Sequence, residues 1–221
     1  MNIGNISQKK FQDTPYLEMI IRPPFCESAT FTITPVKDKD NEWVKKIWIV
    51  MMENKQHTFQ ILTKRPERMR QFLEEYAPVP AMTGYEYGKG FLPKNIWIGV
   101  TAENQKEADT RIPTLIDLPA AKKFVSIEPM LEEINLKKLH RKMVGDKPAY
   151  PCSESYLFDL DWVIVGGETG AKSKTREISP DWVRKVYNDC VDSNTSFFFK
   201  QWGTHKPNYK CEFENVKEFP V

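Results

Sequence analysis

The residues Gly166-Gly167-Glu168-Thr169-Gly170-Ala171-Lys172-Ser173 stand one residue away from a phosphate-binding loop. That loop has the pattern G-x-x-x-x-G-K-[ST], and Ala171 occupies the place of its second glycine. Phosphate chemistry needs more than glycines. The loop must turn straight into a helix whose first N–H groups meet the anion. Here the next helix signal comes later, where Ser179 is a good N-cap and Pro180 suits the first helical position. Lys172 therefore does not open a helix, and a nucleotide-triphosphate cradle is disfavoured. The glycines then either line another small-molecule site or form a turn.

Parallel α/β folds collect functional groups at the carboxyl ends of their strands. Five apolar runs in this chain end in polar residues. The run 57–63 ends in Thr63-Lys64-Arg65, and 95–102 carries Thr101 and leads to Glu103. The run 122–129 ends in Glu128-Pro129, 160–167 in Gly166-Gly167 followed by Glu168, and 195–202 in Lys200-Gln201-Trp202. If these strands lie side by side, the polar groups converge on one rim that could orient a polar ligand, with Trp202 as an apolar or stacking surface. Each residue also has a plainer reading. Lys64 and Arg65 suit the start of an exposed helix, Glu128 a turn, the glycines an unusual backbone, and Trp202 the core.

No catalytic set assembles from the sequence. His57, His140 and His205 avoid the predicted strand ends, and His57 precedes its strand, which puts it on the opposite rim. There is no H-E-x-x-H pattern. Cys26, Cys152, Cys190 and Cys211 are scattered without a C-x-x-C pair, as expected for unpaired thiols in a reducing cytosol. No metal ligands are assigned.

The elements that must position the rim are legible as periodicity. Besides the five runs, 17–22 and 30–35 are weaker strand candidates. The runs are continuously apolar rather than alternating, as in parallel strands covered on both faces. Between them, Trp43, Ile47, Val50 and Met51 mark one helical face, and Pro66 suits the start of a second helix. Asn104 with Glu107 approaches a capping box for a third helix, which Pro113 should bend or interrupt. A fourth begins at Pro180. Alternating strands and helices predict an α/β fold with a mostly parallel sheet. The domain is expected over 1–203, with a polar excursion at about 138–159 and an aperiodic, charged tail at 204–221.

The chain has 221 residues, enough for one substantial core, and Lys plus Arg exceed Asp plus Glu by only 32 to 30. That balance neither demands nucleic acid nor forbids a local basic patch, such as "TKRPERMR" (63–70) or "LKKLHRK" (136–142). No apolar run approaches a membrane span, and "MNIGNISQKKF" lacks the apolar core of a signal peptide, so a cytoplasmic location is expected.

The blocks "QHTFQILTKRPERMRQFL", "NIWIGVTAENQKEADTRIPTL", "FVSIEPML", "LDWVIVGGETG" and "FFFKQWG" resemble, in order over roughly residues 30 to 203, a phage- and prophage-borne family of unknown function. That family is similar to radical S-adenosylmethionine enzymes and, distantly, to spore photoproduct lyase. The resemblance implies a partial (β/α) barrel, and it places the Gly166-Gly167-Glu168 loop at the rim of a ligand cavity. Full-length members carry an N-terminal cysteine motif that looks like an iron–sulfur site. The resemblance implies that this chain starts just beyond that region, and Cys26 alone cannot supply three thiolates.

The expectation that follows is a cluster-less barrel, leaning away from catalysis. It would act as a binding or inhibitory protein on a host protein or ribonucleoprotein, for example as a CRISPR inhibitor. The alternative is an enzyme or subunit that binds S-adenosylmethionine or a nucleoside, with the cluster supplied elsewhere. Direct nucleic-acid binding through the basic patches is a third reading. No resident cofactor is expected from the residues, and S-adenosylmethionine enters only through the resemblance.

Overall fold

Runs of Ile, Val, Phe and Trp without a charge at their centres favour extended chain buried on both faces. Each of the runs becomes a strand in the computed structural model, which describes residues 17–22, 29–33, 42–76, 92–138, 143–144, 147–148 and 155–220. In chain order the strands are β1 (Leu17–Arg22), β2 (Ala29–Ile33), β3 (Thr58–Thr63), β4 (Ile96–Thr101) and β5 (Lys122–Ile127). A two-stranded ladder, β6 (Met143–Val144) and β7 (Lys147–Pro148), lies inside the excursion; then come β8 (Trp162–Gly166) and β9 (Ser196–Gln201). Among the described residues four α-helices join them: α1 (Glu42–Glu53), α2 (Pro66–Tyr76), α3 (Gln105–Ile116) and α4 (Pro180–Ser193).

The main sheet has the order β2-β1-β3-β4-β5-β8-β9. From β3 to β9 every pairing is parallel, while β1 runs antiparallel to both β3 and β2. The molecule is thus an α/β protein built on a five-stranded parallel sheet, whose strands are neighbours in the order in which the chain makes them. Their carboxyl ends share one edge.

Successive side chains of a strand point to opposite faces, so each strand contributes to two surfaces. On one face Ile61, Ile98, Val125, Val163 and Phe197 join Phe72, Ile112, Leu115 and Val183 of the helices in the main core. On the other, Leu62, Phe124, Trp162 and Ile164 form a separate cluster with Trp97 and Phe198 packed against it. Counting in twos along that second face leads from these apolar residues to Thr101, Ser126, Glu128, Gly166 and Lys200. An aromatic floor gives way to a polar edge.

One expectation needs correction, and two gain detail. In α1 the structure buries Trp48 beside Met51 and leaves Val50 49% exposed, so the apolar face is rotated from the one expected. Trp48 meets Phe72 edge-on with ring centroids 5.6 Å apart, and burying an indole outweighs burying a valine. The side chain of Trp43 lies outside the described residues. Helix α3 is not interrupted at Pro113 but runs through it. Buried Ile112, Leu115 and Ile116 hold the turn on either side, and Asn104 caps the start by accepting from the Glu107 N–H at 2.9 Å. The segment after Gly203 has no periodicity, yet it is anchored. Cys211 and Phe213 are buried, and Phe213 packs on Phe199 and Trp202. Beyond them the Phe199 N–H donates to the Val216 carbonyl at 3.0 Å and the Glu218 N–H to the Phe197 carbonyl at 3.0 Å. The chain thereby covers the edge of β9, which would otherwise present unpaired backbone groups.

Cys26, His140 and Cys152 lie outside the described residues, as do 139–142, 145–146 and 149–154 of the excursion. Among the described residues no helix is long and apolar enough to cross a membrane.

Candidate functional site

Because β3, β4, β5, β8 and β9 are adjacent, the five polar strand ends do form one rim. Thr63 accepts a hydrogen bond from the Arg65 N–H at 3.0 Å, turning the chain from β3 into α2 and leaving Lys64 exposed at the corner. Lys64 Nζ lies 3.0 Å from Glu103 Oε1 beyond the neighbouring strand. The other oxygen of Glu103 accepts from Arg111 at 2.9 Å. Arg111 also donates to the Thr101 carbonyl at 2.7 Å and pairs with Glu107 one turn back on α3. Burial pushes the Glu103 carboxyl up. The Lys64 hydrogen bond, a backbone N–H and the Lys64 and Arg111 charges outweigh it, so Glu103 lies below the usual carboxylate range.

The second cluster spans three strands. Lys200 Nζ lies 2.9 Å from Glu128 Oε2, although β8 runs between their strands. Gly166 of β8 leaves the passage open, because a Cβ there would sit 3.2 Å from the Glu128 side chain. The β8–β9 register shifts between Val165↔Phe199 and Gly166↔Gln201, so Lys200 is the extra residue of a bulge, a device that re-aims a side chain. Thr101 and Ser126 are buried one step below, on the same face.

The third cluster is the glycine loop itself. Glu168 receives the Arg176 guanidinium as a two-pronged fork at 2.8 and 2.9 Å, and the Arg176 backbone N–H at 2.9 Å. These hydrogen bonds hold the Glu168 carboxyl down to about 2. The loop is clasped to the turn after β9. The Gly167 N–H donates to the Gln201 carbonyl at 2.8 Å and the Gly170 N–H to Thr204 Oγ1 at 3.0 Å. In return the Thr204 N–H donates to the Glu168 carbonyl, Gln201 Nε2 to Thr169 Oγ1, and His205 meets Thr175. These two glycine N–H groups therefore serve the fold rather than an anion, and the next helix begins at Pro180, where the Ser179 hydroxyl accepts from the Asp181 N–H.

Trp202 lies away from this rim. It is buried against Phe199 and Phe213, with ring centroids 4.8 and 5.6 Å away, in the core under the helices. Three rim residues escaped the sequence reading: Arg111, Ser126 and Arg176. Ser126 follows from period two between Phe124 and Glu128. Arg111 carried only the weak signal of an i,i+4 pair with Glu107, and nothing local marked Arg176. Among the described residues no group of three or more His, Cys, Asp or Glu could hold a metal ion.

Chemically, the rim presents carboxylates each neutralised by a cation on a longer side chain. Fold and site together define an α/β protein with a polar, charge-paired edge above an aromatic sheet face. The chain belongs to the family described as "Protein of unknown function (DUF5131)", which it matches over residues 25–218. No curated protein and no solved structure matches it.

Proposed function

We propose that the rim binds a small polar molecule, S-adenosylmethionine or a nucleoside, within a partial (β/α) barrel of the radical S-adenosylmethionine type. The observation that carries this reading is the Glu128–Lys200 pair over Gly166, beside Lys64–Glu103 and above the aromatic face. Lys64 and Lys200 are about half exposed, on flexible stems, and their pairing with carboxylates is weakly held. A ligand ammonium can take the place of a lysine on either glutamate, and a ligand carboxylate or phosphate can recruit the released lysine. From Trp162 to Gly166 the strand rises roughly 13 Å at ~3.3 Å per residue, a span that matches a ligand with a ring at one end and a charged group at the other.

Calorimetric titration and thermal shift with S-adenosylmethionine, methionine and adenosine test this reading. The native chain is expected to bind, and Glu128→Gln or Lys200→Met to weaken binding of the charged ligands about tenfold or more. No heat with any of these ligands, or affinities indifferent to both substitutions, would overturn it. A second reading, a cytoplasmic protein that inhibits a host protein or ribonucleoprotein in phage–host conflict, rests on the resemblance alone. It predicts a stoichiometric partner in host lysate whose capture survives the same two substitutions and nuclease treatment.

A further inference from the structure

The aromatic face below the rim holds an unmet donor. Trp162 is 1% exposed at the centre of the second cluster, between Trp97, Phe124 and Phe198, and among the described residues its indole N–H has no hydrogen-bond partner. A buried N–H left without an acceptor is unfavourable, and such groups in native proteins call for a physical reason. The ring that covers Trp162 from the chain's end is Phe219, tilted at 45° with its centroid 5.2 Å away, and it also meets Phe198 edge-on at 5.3 Å. Phe219 supplies apolar contact but no acceptor atom. It is also 40% exposed, so its seat on the face is partial.

Bonds to β9 hold the segment that carries Phe219. Lys217 forms an antiparallel bridge with Phe198, and its ammonium sits 4.8 Å from the centre of the Phe198 ring. Glu218 accepts from the Phe197 N–H at 2.8 Å as well as donating its own N–H to the Phe197 carbonyl. The same Lys217 donates to the carbonyl of Lys200 at 3.3 Å, and Lys200 is the residue that reaches Glu128 at the rim. The segment is thus joined to the rim through the backbone of one residue.

We infer that residues 216–219 form a releasable strap whose Phe219 ring occupies the place of a planar nitrogen heterocycle, a nucleobase, on Trp162 and Phe198. Such a ring offers the same apolar contact and adds ring-nitrogen acceptors for the Trp162 N–H. The strap must leave before the ring enters, so the strapped state lowers apparent affinity by the fraction of molecules that are open. This inference rests on the reading of the rim as a ligand site, and it names the ring that the other end of the ligand carries.

The test uses the full chain, native and Phe219→Ala, with two probes that divide the ligand. Adenosine supplies a nucleobase without a zwitterion, and methionine a zwitterion without a nucleobase. Phe219→Ala is expected to bind adenosine about tenfold more tightly than the native chain, with methionine affinity unchanged. In the native protein, adenosine should speed hydrogen exchange at the Phe199 amide, whose bond to Val216 opens with the strap. Equal or weaker adenosine binding by Phe219→Ala, or a Phe199 amide indifferent to adenosine, would overturn the strap. If Phe219→Ala fails to fold, the exchange measurement on the native chain decides alone. Methionine binding without any adenosine response sinks the strap and leaves the rim reading standing. No binding of adenosine, methionine or S-adenosylmethionine overturns the rim reading, and the strap that rests on it falls too.

Discussion

Lys200 Nζ lies 2.9 Å from Glu128 Oε2 across the top of β8, and the residue beneath the pair is Gly166. Three strand ends separated by up to 72 residues thus meet at one ion pair. The contact needs three things at once: the parallel order β5-β8-β9, a bulge that adds Lys200 to β9, and no side chain on the middle strand.

The two glycines at the end of β8 should respond differently to a methyl group. In Gly166→Ala the new Cβ presses on a carboxylate stem at 3.2 Å, and that stem can shift. Stability should fall by about 1 kcal/mol or less, while the Glu128–Lys200 geometry is lost. In Gly167→Ala the Cβ would fall 1.9 Å from the Trp202 backbone oxygen, so the ends of β8 and β9 must part. A loss of roughly 3 kcal/mol or more is expected. Urea unfolding of both variants checks the contrast, and equal losses would contradict it.

Arg111 holds Glu103, Glu107 and the Thr101 carbonyl together from a position only 12% exposed. Arg111→Met should cost about 1–3 kcal/mol, because it leaves Glu103 half-buried with Lys64 alone. The Glu103 carboxyl should then titrate higher than in the native chain, which NMR titration of the side chain can follow. An unmoved titration would mean that Lys64 alone sets the Glu103 charge.

Acid should loosen the rim in a defined order. Glu168 and Glu103 both titrate below their ordinary value of 4.5 in the folded protein. A carboxyl depressed by folding stabilises fully above its unfolded value, and that contribution declines as pH falls. For Glu168 the decline runs from about 4.5 down to about 2. Urea midpoints of native and Glu168→Gln proteins should therefore differ most near neutrality and converge towards pH 2. A constant gap across that range would show that the carboxylate charge is not what holds Arg176.

Phe213 is fully buried in the aperiodic segment after β9, packed on Tyr187, Phe199 and Trp202. Phe213→Ala should destabilise the protein by about 3–5 kcal/mol, as for other buried aromatics. Thermal unfolding measures it. A change under about 1 kcal/mol would mean that the segment contributes little to the core.

Much of this architecture was written in local patterns. The five parallel strands β3, β4, β5, β8 and β9 were legible because apolar runs bounded by turn residues need no distant information. The caps at Asn104 and Ser179 were legible because the donor and acceptor lie within three residues of each other. The polar strand ends could be named individually for the same reason. What no local pattern carries is which side chains meet. The face of α1 depended on Phe72 lying within reach of Trp48, and Trp202 joined the core because Phe213 arrives from eleven residues further on. The pairing of Glu168 with Arg176 instead of a ligand, and of the glycine N–H groups with the turn after β9, needed the loop closed against its neighbour. Secondary structure and strand-end chemistry are short-range properties of the chain, set by propensity and period. The rim's ion pairs and the strap over Trp162 exist only once strands distant in sequence lie side by side, so the tertiary structure alone decided them.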